Sequence, residues 1–222
     1  MNGYQDYDYE PLQPRRDWRE TFKRALGPLA AGAIALVKFS FVLIKAGSIF
    51  VAVGLYALFF GWWYAVGIVF LILLHELGHF LEAKREGLNP KLPVFIPFLG
   101  AYVAMKNSRF DPWRDLKVSA AGPIAGSLGA LAVYVAAEAQ DSRFLFALAY
   151  TGFFLNLFNL VPIGPLDGGY MWRSIKVLRH GGGAATVAQA RSQALLGGLL
   201  YGGLALALVV GMLAAHVPQS RL

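Results

Sequence analysis

The sequence predicts an all-α polytopic membrane protein with about five to six transmembrane helices and a small membrane-associated β-hairpin. Of the 222 residues, 57% are hydrophobic and only 15% are charged, whereas soluble domains carry about 25% charged residues. The mean hydropathy is correspondingly high, at +0.51. Long apolar runs also alternate with short basic patches, which is the pattern of a chain whose solvent is lipid.

The charge of the chain does not indicate a nucleic-acid-binding protein, although its net value is +7. Lys and Arg fall mainly at the ends of apolar runs, where the positive-inside rule predicts them. The expected partner is therefore the lipid bilayer and not nucleic acid. The chain contains no cysteine, which excludes disulfides and thiolate metal sites. The sequence does not indicate an oligomeric state.

Six apolar stretches divide the chain, and three of them reach the length of about 20 residues that a span needs. The stretches are 26–44, 46–61, 62–82, 118–137, 144–161 and 194–215. Lys38 and Lys45 interrupt the first one, so we expect residues 26–45 to form an interfacial or tilted helix, with a true span as the alternative. Residues 1–25 are polar and predict a disordered cytoplasmic tail.

The charges between these stretches favour five crossings with a cytoplasmic N-terminus. Residues 84–117 would be a basic cytoplasmic loop, whose apolar, proline-broken centre predicts a hairpin at the membrane interface. Glu138 and Asp141 would lie on the opposite side. Residues 180–193 contain a glycine run and predict a flexible connector.

The third apolar stretch ends in His75-Glu76-Leu77-Gly78-His79. Residues four apart share one face of a helix, so His75 and His79 can present two imidazoles to one zinc ion, while Glu76 can act on the attacking water as general base. A chance match is the alternative. It leaves unexplained the cost of ionisable groups deep in a bilayer, about 2.5–3.5 kcal/mol each, which a bound metal would offset.

A catalytic zinc usually takes three protein ligands, and three residues are candidates for the third. His180 and His216 have the surroundings of surface residues. Asp167 follows the fifth stretch in a segment rich in Pro and Gly. The topology places it near the same leaflet as His75 and His79. Non-helical backbone is tolerated at that depth where it lines a cavity. An ordinary aspartate in a Pro/Gly turn is the alternative, and this segment alone leaves it open.

The two motifs together resemble those of the site-2 protease family of intramembrane metalloproteases. The family's second motif is NxxPxPxLDG, and this chain has NLVPIGPLDG over 159–168. Gly164 replaces the second proline, and Pro165 follows one place later. The resemblance covers roughly residues 46–215. It implies a compact form of the family, because the loops have no room for the PDZ or CBS domains of many relatives.

The resemblance implies roles for five residues. His75, His79 and Asp167 would bind Zn²⁺, Glu76 would be the general base, and Asn159 would position substrate or stabilise the oxyanion. Residues 46–216 would form an intramembrane endopeptidase domain that cleaves transmembrane protein substrates in or near their membrane segments. The small residues that begin the fourth stretch resemble a family helix that packs against the active site. The expected location is a bacterial inner membrane, with the active site towards the cytoplasm.

Three alternatives compete with this interpretation. A multi-pass metal transporter would use the same ligands as a transit site, but transporters tend to have internal repeats, and we find none. A catalytically silent membrane scaffold would have lost a ligand or Glu76, and all are present. A protease of the CAAX-processing type would need a glutamate ligand on a later helix, and Glu138 lies on the far side.

Overall fold

Helices dominate the part of the chain that the structure describes. This computed structural model describes residues 47, 49–90, 94–96, 100–102 and 110–216. The helices are α1 (Ile49–Phe60), α2 (Trp62–Arg85), α3 (Pro112–Gln140), α4 (Arg143–Asn159), α5 (Asp167–Arg179) and α6 (Val187–Ala215). The tail predicted for 1–25 and the helix predicted for 26–45 lie outside the described residues, and both stay predictions.

A glycine turn and two side-chain caps set three of the helix boundaries. Gly61 separates α1 from α2 with a φ of +81°, which glycine adopts without strain. Asp111 begins α3, because its side chain accepts hydrogen bonds from the backbone N–H groups of Trp113 and Arg114, each at 3.0 Å. Thr186 caps α6 in the same way. Such caps typically contribute about 1 kcal/mol each.

Helix α3 lies at the centre of the bundle. It packs against α2 on one side and against α4 and α5 on the others, while α6 covers α4 and α5. A buried apolar cluster joins α3, α4 and α6 through Ala130, Phe153 and Leu208. The chain therefore holds α2, α4 and the start of α5 around one central helix, and this arrangement positions the site described below.

Three of the described helices, α2, α3 and α6, are long and apolar enough to cross a membrane. Large apolar side chains cover their outward faces, and Leu199, for example, is 73% exposed. This exposure is consistent with an integral membrane protein whose helices face lipid. The larger count of five to six transmembrane helices stays a prediction.

Two short antiparallel strands lie in the loop between α2 and α3. They are β1 (Val94–Ile96) and β2 (Gly100–Tyr102), and Phe95 pairs with Ala101 at their centre. The association of this segment with the membrane stays a prediction.

Two helices follow the fifth apolar stretch, and the second of them shortens a predicted connector. Residues 167–179 form helix α5 directly after the segment rich in Pro and Gly. Helix α6 begins at Val187, so the connector predicted for 180–193 is shorter than expected. Both helices begin at these points because Asp167 and Thr186 stand at their N-termini, where acidic and hydroxyl side chains favour helix initiation despite neighbouring glycines.

Candidate metal centre

The helix α2 carries the first three site residues. Its apolar sequence runs from Trp62 to the basic pair Lys84 and Arg85 in the last turn, where positive side chains interact favourably with the helix dipole. His75 and Glu76 are both buried, at 6% exposure, on the side of α2 that faces its neighbours. A buried polar pair on an apolar helix needs partners from other helices.

The chain brings Asp167 to these histidines through a tight turn between α4 and α5. Asp167 is the first residue of α5. Gly168 packs directly against the backbone carbonyl groups of Leu160 and Val161, where an added Cβ would collide with them. The Leu160 carbonyl also accepts a hydrogen bond from the Tyr201 hydroxyl of α6, at 2.6 Å. The Asp-Gly sequence therefore lets α5 begin close to the end of α4.

Three side chains converge at this point. The Nε2 atoms of His75 and His79 lie 3.1 Å apart. One carboxylate oxygen of Asp167 lies 3.1 Å from His75 Nε2, and the other lies 3.2 Å from His79 Nε2. Among the described residues, His75, His79 and Asp167 form the group of potential ligands whose atoms lie close enough together to hold a metal ion.

The outer nitrogens of both imidazoles have fixed roles. His79 Nδ1 lies 2.8 Å from the Val118 carbonyl oxygen, which can only accept, so Nδ1 donates. His75 Nδ1 lies 2.8 Å from Asn156 Oδ1. The Asn156 amide nitrogen donates to the Gly152 carbonyl at 2.7 Å, so its oxygen faces His75. Each neutral ring then carries its proton on Nδ1 and leaves the Nε2 lone pair facing the cluster.

The arrangement fits a small divalent cation. Two Nε2 lone pairs and a carboxylate repel one another at these separations unless a positive charge lies among them. Tetrahedral ligands bonded to zinc at about 2.0–2.1 Å would be separated by about 3.3 Å, close to the spacing of the three groups. The donor set of two imidazoles and one carboxylate is also one that catalytic zinc sites use.

Two glycines of α3 make room for the site. An added Cβ at Gly122 would collide with the His79 ring, and one at Gly126 would collide with the Asn156 amide. Between them, Pro123 lacks an N–H and so removes the helical hydrogen bond to the Ser119 carbonyl. The small residues of α3 were expected to serve packing. Gly122 also borders His79, and Gly126 borders Asn156, which is the hydrogen-bond partner of His75.

Glu76 and Asn159 line one cavity beside the cluster, with a volume of about 150 Å³. His75 and Asn156 line it too, and the remaining lining is largely apolar: Tyr56, Leu71, Ile72, Leu155, Phe158 and Leu166. Asn159 is half-buried at the C-terminal end of α4. The cavity thus joins a carboxylate, an amide and one imidazole of the cluster in a largely apolar space.

The other two histidines lie apart from this cluster. His180 follows the last residue of α5 and His216 follows α6, and both are exposed. The sequence allows Asn156 a hydrogen bond to a neighbouring helix, but it does not identify His75 as the partner. The available signal was its position one helical turn before Asn159, on a helix that precedes Asp167.

Sequence comparison places this geometry in a known family. The profile of peptidase family M50 matches residues 63–140 and 135–201, which is more than half of the chain. The chain belongs to peptidase family M50. The resemblance to the site-2 protease family is thereby confirmed, and the matched residues of this M50 chain include His75, Glu76, His79 and Asp167.

Curated relatives of this M50 chain match it over only part of their own length. Rip3 of Mycobacterium tuberculosis, named as a zinc metalloprotease, is 31% identical over 125 residues, which are 53% of this chain and 32% of Rip3. Zinc metalloprotease MJ0392 of Methanocaldococcus jannaschii is 31% identical over 115 residues, 50% of this chain and 33% of that protein. The chain thus matches about a third of the length of these curated relatives.

Proposed function

We propose that this M50 chain is a zinc-dependent endopeptidase that hydrolyses peptide bonds in or near the transmembrane segments of other membrane proteins. The observation that carries the proposal is the convergence of His75, His79 and Asp167 within 3.2 Å of one another beside the cavity that Glu76 lines. Family membership supports the metalloprotease chemistry, and the names of the relatives support zinc as the metal.

His75, His79 and Asp167 would hold the zinc. When bound, zinc supplies a Lewis acid that polarises a carbonyl and acidifies water to a pKa of about 7. The fixed Nδ1 hydrogen bonds of both histidines would orient the rings for this purpose, because each lone pair is already directed at the cluster. Glu76 and Asn159 also line the cavity, and as neither belongs to the metal-binding cluster, both can act on the peptide.

Glu76 would act as the general base. It takes a proton from the water whose oxygen attacks the peptide carbonyl carbon, and it returns that proton to the amide nitrogen as the C–N bond breaks. Asn159 lines the same cavity and would donate an amide N–H to the carbonyl oxygen, which gains negative charge during the attack. The products are a carboxylic acid and an amine, so water is consumed and no further reactant is needed.

The substrate would be an apolar peptide segment. The cavity lining is mostly aliphatic and aromatic, and the helices around it carry exposed apolar side chains suited to lipid. A transmembrane helix must unwind before hydrolysis, because its amides are hydrogen-bonded within the helix. The active site would face the cytoplasm of a bacterial inner membrane, as the distribution of Lys and Arg favours.

The test compares the wild-type chain with Glu76→Gln, using a reporter transmembrane peptide in detergent or vesicles. We expect cleavage to fall by about 10²–10⁴, the contribution of a general base, while the zinc content stays unchanged. Glu138→Gln is the matched control, since it removes the same charge from an exposed residue bonded to Tyr134, and it should cleave normally. Undiminished cleavage by Glu76→Gln would refute this role.

A further inference from the structure

One polar side chain in the centre of the bundle belongs neither to the cluster nor to the proposed reaction. Asn156 is only 3% exposed and lies on α4, whereas the proposed ligand that it contacts, His75, lies on α2. A buried amide is costly unless its donors and acceptor are satisfied, so its presence at the centre of the bundle needs a specific reason. Its hydrogen bonds supply that reason.

The Asn156 amide is locked in one orientation. Its nitrogen donates to the Gly152 carbonyl one turn earlier on α4, at 2.7 Å, and this carbonyl cannot serve a flipped amide oxygen. Its oxygen therefore faces His75 Nδ1 at 2.8 Å. Gly126 of α3 leaves the space that the amide occupies, since a Cβ at that position would collide with it. Three helices thus fix one acceptor oxygen.

We propose that Asn156 is a positioning residue that sets the zinc affinity of the cluster by holding His75 in the tautomer and ring orientation that binds metal. This inference rests on the proposed function, because it takes the cluster to hold zinc. Hydrogen bonds to the outer nitrogen of a metal-binding histidine typically change metal affinity or activity by about 10–100-fold.

The two histidines differ in how they are positioned. His79 donates to a backbone carbonyl, that of Val118, which no side-chain substitution removes. His75 relies on a side chain, and Asn156 is the partner that the structure gives its Nδ1. Substitution at 156 should therefore weaken zinc binding through His75 alone.

The experiment measures zinc dissociation constants by competition with a chromophoric chelator, on the full chain in detergent. N156L keeps the branched shape of the side chain but removes the acceptor, and we expect zinc to bind about 10–100-fold more weakly. N156D keeps an acceptor oxygen at the same place, and we expect its affinity within about threefold of wild type. The stability of each metal-free variant is measured in parallel by chemical denaturation.

Tyr64→Phe is the matched control for a purely structural role. Tyr64 of α2 bonds Thr151 at 2.6 Å and the Ala147 carbonyl at 3.0 Å, so it links the same two helices as the pair of His75 and Asn156. Its loss should lower stability and leave zinc affinity unchanged. An equal loss of zinc affinity in Y64F would show that weaker packing of α2 against α4 is enough to cause the effect of N156L. That result would overturn the inference.

Two further results separate the inference from the proposed function. Equal zinc affinities for N156L and wild type, or a loss in N156D as large as in N156L, would overturn the role of Asn156 while leaving the proposed function intact. A wild-type chain that binds no zinc would overturn both. A selective loss in N156L supports the inference.

Discussion

Gly122 decides whether the His79 ring fits between α2 and α3. The ring occupies the position where any other residue would place its Cβ, and its Nδ1 reaches the Val118 carbonyl one turn earlier on α3. Glycine is therefore needed here to make room for the His79 ring, and not to make the chain flexible.

We predict that Gly122→Ala weakens zinc binding. The methyl group forces the His79 ring to move, and overpacking of this kind costs about 1–3 kcal/mol, which is about 5–150-fold in affinity if it falls on the bound state. Zinc competition in detergent measures the change. Gly198→Ala on α6 is the control, because nothing lies within 4 Å of its added Cβ. Normal zinc binding by Gly122→Ala would mean that the ring does not need this space.

Single residues differ in how far the sequence reveals them. His75, Glu76 and His79 follow from one helical spacing, because neighbours in sequence become neighbours on a helix face. Asp167 needed the resemblance to a family, since its approach depends on a turn that places α5 beside α4. The contact of Asn156 with His75 depends on how α2 and α4 pack, and helix rotation about its axis is not encoded in a local pattern.

Among the elements, the segment from Leu160 to Asp167 carries the third cluster residue into place. Leu160 is 2% exposed, and its carbonyl faces both Gly168 and the Tyr201 hydroxyl. Helix α6 thereby stabilises the turn that places Asp167 beside the two histidines. Loss of this hydrogen bond would leave a buried carbonyl without that partner.

Tyr201→Phe tests this support. Leaving a buried acceptor unsatisfied costs about 1–3 kcal/mol, so we expect the free energy of unfolding to fall by that amount and zinc binding to weaken because Asp167 is less well held. Chemical denaturation and zinc competition measure the two effects. Tyr134→Phe is the control, since that hydroxyl donates to Glu138 at an exposed site. No change in either quantity for Tyr201→Phe would show that the turn holds without α6.

Helix α5 shows where an element escapes prediction. Its first turn contains Gly168 and Gly169, and a proline precedes it at position 165, all of which indicate a turn when taken alone. Both glycines are needed because backbone carbonyl groups of 160–164 pack against them. Tertiary packing therefore explains why Gly168 and Gly169 occur in this helix, although glycine disfavours helices locally.

For the whole molecule, the order of the helices fixes which ends share a side of the membrane. If α2, α3 and α6 cross the bilayer as their length allows, the end of α2 and the start of α3 lie on one side, and the end of α3 lies on the other. The apolar runs predicted these helices well, because lipid exposure imposes a strong compositional pattern. The number of crossings depends also on α1 and α4, which are shorter.

The absence of cysteine from the chain makes a direct topology test possible. Q140C, at the exposed end of α3, and R179C, at the exposed end of α5, each introduce one thiol. We expect a membrane-impermeant maleimide to label Q140C in intact bacterial spheroplasts and R179C only after permeabilisation, because positive residues are retained inside. The reverse pattern would place the cluster on the outer side.

The central claim is that His75, His79 and Asp167 hold one zinc ion together. The most direct measurement is the zinc content of the purified chain with Asp167→Asn, which removes the negative charge while keeping the side-chain shape. The matched control is Asp141→Asn, at a left-handed position that asparagine tolerates. We expect about one zinc per chain in wild type and in Asp141→Asn, and most of it lost in Asp167→Asn. Full zinc retention by Asp167→Asn would contradict the account.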